Sequence, residues 1–142
     1  MYERILLPTD GSVSTDKAVE QALTLAGISD ASLHVLSVVD QTAMPPDVRS
    51  NILADELEAE CTDAVADVER AATEAGIDVE TSVQHGTPYE IILDYVDEHD
   101  IDCIVMGTHG RRGLDRYLLG SVTEKVVRLS GVPVLTVRMV EN

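Results

Sequence analysis

Apolar residues along this chain alternate between two spacings. Ile5-Leu6-Leu7 is a short unbroken run, as a strand buried on both faces requires, and it stops at the turn sequence Pro8-Thr9-Asp10-Gly11-Ser12. From about Ser14 to Leu25 the spacing becomes helical. Ala18, Ala22, Leu25 and Ala26 share a stripe beside Val19 and Leu23, and Gly27 is the expected stop. Leu33, Val35, Leu36, Val38 and Val39 predict a second strand, and Asp40 to Asp47, with Pro45-Pro46, a loop. A long helix follows over about Val48 to Ala75, with Leu57, Cys61, Ala64, Val65, Val68, Ala72 and Ala75 inward and Gly76 as its end. Its many acids read as a solvated face.

Val79, Thr81 and Val83 alternate with Glu80, Ser82 and Gln84, so the third strand has one wet face and belongs at an edge. Gly86-Thr87-Pro88 breaks the chain before a third helix that buries Tyr89, Ile92, Leu93 and Val96. Ile101 to Met106 is the fourth strand. A fourth helix runs from about Ser121 to Leu129, with Val122, Val126 and Leu129 inward and a capping box at Ser121 and Glu124. Val132 to Val137 is the fifth strand. Five strands alternating with helices predict an α/β domain over residues 1–142 with a doubly wound parallel sheet. No internal repeat or linker interrupts it. A chain of this size buries roughly 68–70% of its unfolded surface, enough for its own core.

No apolar run reaches the roughly 18 residues of a membrane span, and Met1 to Pro8 reads as a strand rather than a signal peptide. Cys61 and Cys103, with no Cys-x-x-Cys, read as packing residues of a reduced, cytoplasmic chain. His34, His85 and His99 show no metal-ligand spacing. With 26 acidic and 10 basic residues the net charge is −16, which disfavours nucleic acid as a partner. Such an excess suits a halophile, because high salt screens self-repulsion. The melting point should therefore rise through a KCl series followed by circular dichroism. A melting point indifferent to salt would remove that reading.

The charge is uneven. Residues 107–142 carry six basic and three acidic residues, net +3, against −19 for residues 1–106. That positive island contains the stretch Met106 to Thr123, where a strand gives way to a glycine-bearing loop and then a helix start. Glycines let backbone approach a ligand closely, and a helix start offers open N–H groups and the positive end of a dipole. Gly107, Gly110 and Gly120-Ser121 follow Gly-x2-Gly-x9-Gly-Ser, which is neither the Walker A loop nor the Rossmann glycine pattern.

This spacing, with the Pro8-Thr9-Asp10 turn, resembles the ATP-binding signature of the universal stress protein family. The resemblance runs from Ile5 to Val137. It implies strand order 3-2-1-4-5 in an adenine nucleotide alpha hydrolase-like fold, with the ligand at the switch point beyond strands 1 and 4. It implies that Pro8, Thr9 and Asp10 line the pocket floor and that Val38 touches the base. Met106, Gly107, His109 and Gly110 would hold ribose and phosphate. Gly120, Ser121, Val122 and Thr123 would take phosphate oxygens through N–H and hydroxyl groups. Asp10 is the candidate Mg²⁺ ligand, through water, and equally a candidate helix cap.

Micromolar binding needs about 8 kcal/mol, and a helix terminus gives at most ~2, so many donors must act together. The favoured reading is a regulatory module that binds ATP or AMP in the stress response and acts on an unidentified protein partner. A slow ATPase and an empty dimeric scaffold are the alternatives. The fifth strand is apolar on both faces yet lies at an edge, and an open apolar edge invites pairing. A homodimer through residues 132–138 is the expectation, as the resemblance also implies.

Overall fold

Two apolar cores lie on opposite faces of one five-stranded sheet. The computed structural model describes residues 2–10, 16–40, 51–108 and 120–138. The elements are β1 (Arg4–Pro8), α1 (Asp16–Ser29), β2 (Ser32–Val39), α2 (Asn51–Glu74), β3 (Val79–His85), α3 (Pro88–Glu98), β4 (Cys103–Gly107), α4 (Ser121–Leu129) and β5 (Val134–Val137). All pairings are parallel and the order is β3-β2-β1-β4-β5, as expected.

Strand periodicity divides the cores. Ile5 and Leu7 of β1 join Leu33, Val35, Cys103 and Val105 on the face covered by α1 and α2. Leu6, Leu36, Ile104 and Met106 point the other way, toward α3 and α4. Ala18, Ala22 and Ala26 of α1 are all buried, so that helix meets the sheet through small side chains. The helices that follow β1 and β4 therefore leave on opposite faces of neighbouring strands.

Helix ends show where local signals were misread. Gly27 does not stop α1. The helix continues to Ser29, and Asp30 takes the left-handed position at φ 55°. The Ala31 N–H then folds back on the Ala26 carbonyl at 2.9 Å. Aspartate tolerates that conformation, and this closure buries Ala31. Gly76 ends α2 as expected, at φ 75°, with Ile77 N–H donating to the Ala72 carbonyl. Ala75 already lies in that turn and is exposed rather than inward. The expected starts of α1 and α2, at Ser14 and Val48, lie outside the described residues.

In α3 the inward residues are Ile92, Tyr95 and Val96, while Tyr89 and Leu93 are half-buried. Thr123 and Val126 are the buried residues of α4, and Leu129 is 53% exposed instead of inward. Leu129 lies at the helix's last turn, beside the four-residue edge strand β5. Strand β5 begins at Val134 rather than Val132, and β4 extends to Gly107.

A carboxylate pins the opposite end of the sheet. Asp102 accepts from the backbone N–H groups of Glu3 (2.9 Å) and Arg4 (3.2 Å), joining the entry of β4 to the start of β1. Asp102→Ala should cost about 1 kcal/mol and lower Tm by about 3 °C in a thermal melt. An unchanged Tm would mean that water replaces the carboxylate without loss.

Candidate functional site at the switch point

The carboxyl ends of β1 and β4 lie side by side at the switch point of the sheet, where the crevice of an open α/β fold is expected. The two strands are neighbours through Ile5 with Cys103 and Leu6 with Ile104. Each is held by its outer neighbour one residue past its end. Thr9 N–H donates to the Leu36 carbonyl at 2.9 Å, and Thr108 N–H donates to the Val137 carbonyl at 3.0 Å. Both threonines are buried and Asp10 is half-buried. Pro8-Thr9-Asp10 and Met106-Gly107-Thr108 are thus brought to the same end of the sheet, where strand order reverses. Thr108 joins this candidate site through its backbone, though the spacing of glycines did not single it out.

Val38 is the next-to-last residue of the adjacent strand β2. Its half-buried side chain packs on the same core as Leu36 and Met106. Met106 is 5% exposed, so its side chain belongs to that core and its backbone is the part nearest the crevice.

The glycine stretch closes on itself. Gly120 N–H donates to the Thr108 carbonyl at 2.5 Å. The Thr123 hydroxyl donates to the Gly107 carbonyl at 2.8 Å. Both bonds seat the start of α4 against the end of β4. They also take up two groups expected to serve phosphate, the Gly120 N–H and the Thr123 hydroxyl proton.

The capping box is not formed. Gly120, not Ser121, is the N-cap, and its carbonyl accepts the Glu124 N–H at 2.9 Å. Ser121 is the first helical residue and is exposed. The Glu124 carboxylate instead lies 3.3 Å from the Arg128 guanidinium. The tie to Thr108 sets this register, and a glycine cap has no side chain to lay over the first turn. The N–H groups of Ser121, Val122 and Thr123 precede the first intrahelical bond, and among the described residues no side-chain hydrogen bond caps them. They form a set of donors at the positive end of the helix dipole, one bond network away from Thr108.

His109 and Gly110, together with Gly11 to Thr15, lie outside the described residues. Among the described residues, no group of three or more His, Cys, Asp or Glu is arranged to hold a metal ion. Among the same residues, no helix is long and apolar enough to cross a membrane. A cavity of about 550 Å³ lies at the opposite end of the sheet, lined by Arg4, Ser32, His34, Asp78, Glu80 and His99. It shares no residue with the crevice. The free N–H groups of a helix start lie at the strand ends and not at that cavity.

Known proteins share this fold. The universal stress protein family model matches residues 1–138. Universal stress protein MJ0531 of Methanocaldococcus jannaschii is 34% identical over 141 residues, covering 97% of this chain and 83% of its own length. The solved structure of MJ0577, a universal stress protein of the same organism, superposes with a TM-score of 0.88 at 30% identity, covering 100% of this chain and 99% of that one. A universal stress protein solved in complex with cAMP is 29% identical, with a TM-score of 0.76 over 98% of this chain and 99% of its own. Sequence, strand order and relatives agree, and the chain belongs to the universal stress protein family.

Proposed function

We propose that the crevice at the switch point binds an adenine nucleotide, ATP or AMP, and that the chain works as a nucleotide-responsive regulatory module in the stress response. One observation carries this reading: the glycine-capped start of α4 is tied to the end of β4 at the switch point, and among the described residues no side chain caps its first N–H groups. The 29% identical relative with bound cAMP supports an adenine nucleotide as the ligand class. In this reading Pro8, Thr9 and Asp10 form the floor, Val38 meets the base, and the N–H groups of Ser121, Val122 and Thr123 with the Ser121 hydroxyl hold phosphate. Met106, Gly107, His109 and Gly110 contact ribose and phosphate. The half-buried Asp10 carboxylate would hold Mg²⁺ through water, with phosphate oxygens supplying the rest of the shell. Bound there, the ion would neutralise phosphate charge.

The setting is a reducing cytoplasm, consistent with two free, buried cysteines. The acting form is a homodimer through residues 132–138, an edge strand on which Leu135 is 41% exposed. Light scattering on a size-exclusion column should give twice the 15.4 kDa chain mass. A single-chain mass counts against the interface.

The deciding experiment is release of ligand from freshly purified protein by heat or acid, read by mass spectrometry. ATP, AMP or a related nucleotide is the expected product, and the ATP-to-ADP ratio over time separates a binder from a slow ATPase. Empty protein whose melting also ignores Mg-ATP would leave a scaffold without a working site.

A further inference from the structure

The cavity at the amino-terminal end of the sheet gives water access to a buried histidine that the nucleotide reading does not use. His34 of β2 is 6% exposed. Its Nδ1 lies between two partners on different elements. Tyr95 Oη of α3 is 2.7 Å away, and Glu80 Oε2 of β3 is 3.4 Å away. The Tyr95 ring stacks on His99, the residue that caps the end of α3, with centroids 3.7 Å apart. Arg4 of β1 and Asp78, just before β3, complete the charged groups around the cavity.

The two partners favour opposite protonation states of one nitrogen, because the Tyr95 hydroxyl has a proton to give and an ionised Glu80 carboxylate has none. Burial, with Glu80 adding, pushes the Tyr95 phenol up to about 12, so it keeps its proton and donates. A neutral His34 Nδ1 accepts that proton and carries its own hydrogen on Nε2. The ionised Glu80 carboxylate can only accept. An imidazolium has a hydrogen on both nitrogens, so Nδ1 can no longer accept from Tyr95, and a charge-assisted bond to Glu80 becomes the stronger choice. Glu80 is 70% exposed, so it is free to close the remaining gap.

We propose that His34 is a two-position proton switch: neutral, it accepts from Tyr95 and ties α3 to the sheet; protonated, it donates to Glu80 and releases Tyr95. Burial holds the His34 imidazole below its ordinary 6.5, Glu80 opposes this, and His99 and Arg4 add to it. The sign follows. A form with α3 loosened takes up the proton near the ordinary value, whereas the tied form takes it only at lower pH. The tie is therefore complete above about pH 6.5 and weakens as pH falls through the interval below it.

The test is a pH titration of the full chain by side-chain NMR, with amide exchange of the last turn of α3. From about pH 7.5 to about 5.5, the opened form should gain after correction for intrinsic exchange, by up to about tenfold, the limit reached when only the opened form takes up the proton. Tyr95 ring signals should move with the His34 midpoint. Glu80→Gln should lower that midpoint and Tyr95→Phe should raise it. Repeating the titration in His99→Gln separates out the neighbouring ring. Tyr95 signals that ignore the His34 titration would overturn the switch, and so would a Glu80→Gln midpoint equal to the parent's. If Tyr95→Phe does not fold, the exposed Glu80 variant still decides.

Discussion

Gly120→Val should lower affinity for Mg-ATP at least about 100-fold, a loss of about 2.7 kcal/mol, while leaving the protein folded. The backbone at Gly120 is φ −59° and ψ 153°, a conformation that any L-residue adopts. Its N–H can still reach the Thr108 carbonyl, so the seat of α4 survives. What changes is the space over the first turn. An N-cap side chain lies across the N–H groups of the second and third helical residues, which is how serine or aspartate caps a helix. Valine's methyls would stand where a phosphate oxygen must sit, and they offer no acceptor in return. Glycine caps better than valine, so a fall in Tm of a few degrees is expected as well. Calorimetry on the folded variant decides. Full retention of binding would move the phosphate away from the start of α4.

The same residue marks how far the sequence could be read. Strands β1, β2 and β4 carry apolar residues on both faces because helices cover both, and each run is short and bounded by turn residues. Element identity and order were therefore legible, the order by way of the family signature. The ends of β1 and β4 were legible for a related reason: glycines and turn residues mark the points where these strands must stop. The cap was not. Ser121 and Gly120 are both acceptable cap types, and the choice falls on the bond from Gly120 N–H to Thr108, which joins residues at the two ends of the loop.

Other misreadings share that cause. Gly27 is a good stop signal, but Asp30 closes α1 because Ala26 and Ala31 pack together there. Leu129 continues the apolar stripe of α4 but lies in the last turn beside a short edge strand. His34 and Tyr95 are 61 positions apart, and nothing local joins them. A weak signal existed, since Ile92, Tyr95, Val96 and His99 recur at helical spacing and place a tyrosine and a histidine on the covered stripe. Which groups bond across elements depends on register, and register is fixed only when strands and helices pack.

Thr123→Val is the second large effect, and it falls on stability first. Thr123 was expected to offer its hydroxyl to phosphate, but that hydroxyl is buried and donates to the Gly107 carbonyl at 2.8 Å. Valine matches threonine in shape and in helix propensity, so the substitution removes the donor and little else. A buried carbonyl that loses its partner costs about 1–3 kcal/mol, and about 2 kcal/mol should lower Tm by about 6 °C. Thr123→Ser keeps the hydroxyl, loses a methyl and should cost less than about 1 kcal/mol. The pair separates two roles. If the hydroxyl is a tie, the valine variant is destabilised and binds nucleotide more weakly only as the start of α4 loosens from Gly107. If it is a ligand, the valine variant melts with the parent and loses affinity outright. The 2.8 Å bond favours the tie: a hydroxyl has one proton, Gly107 holds it, and what Thr123 can still offer an anion is its backbone N–H.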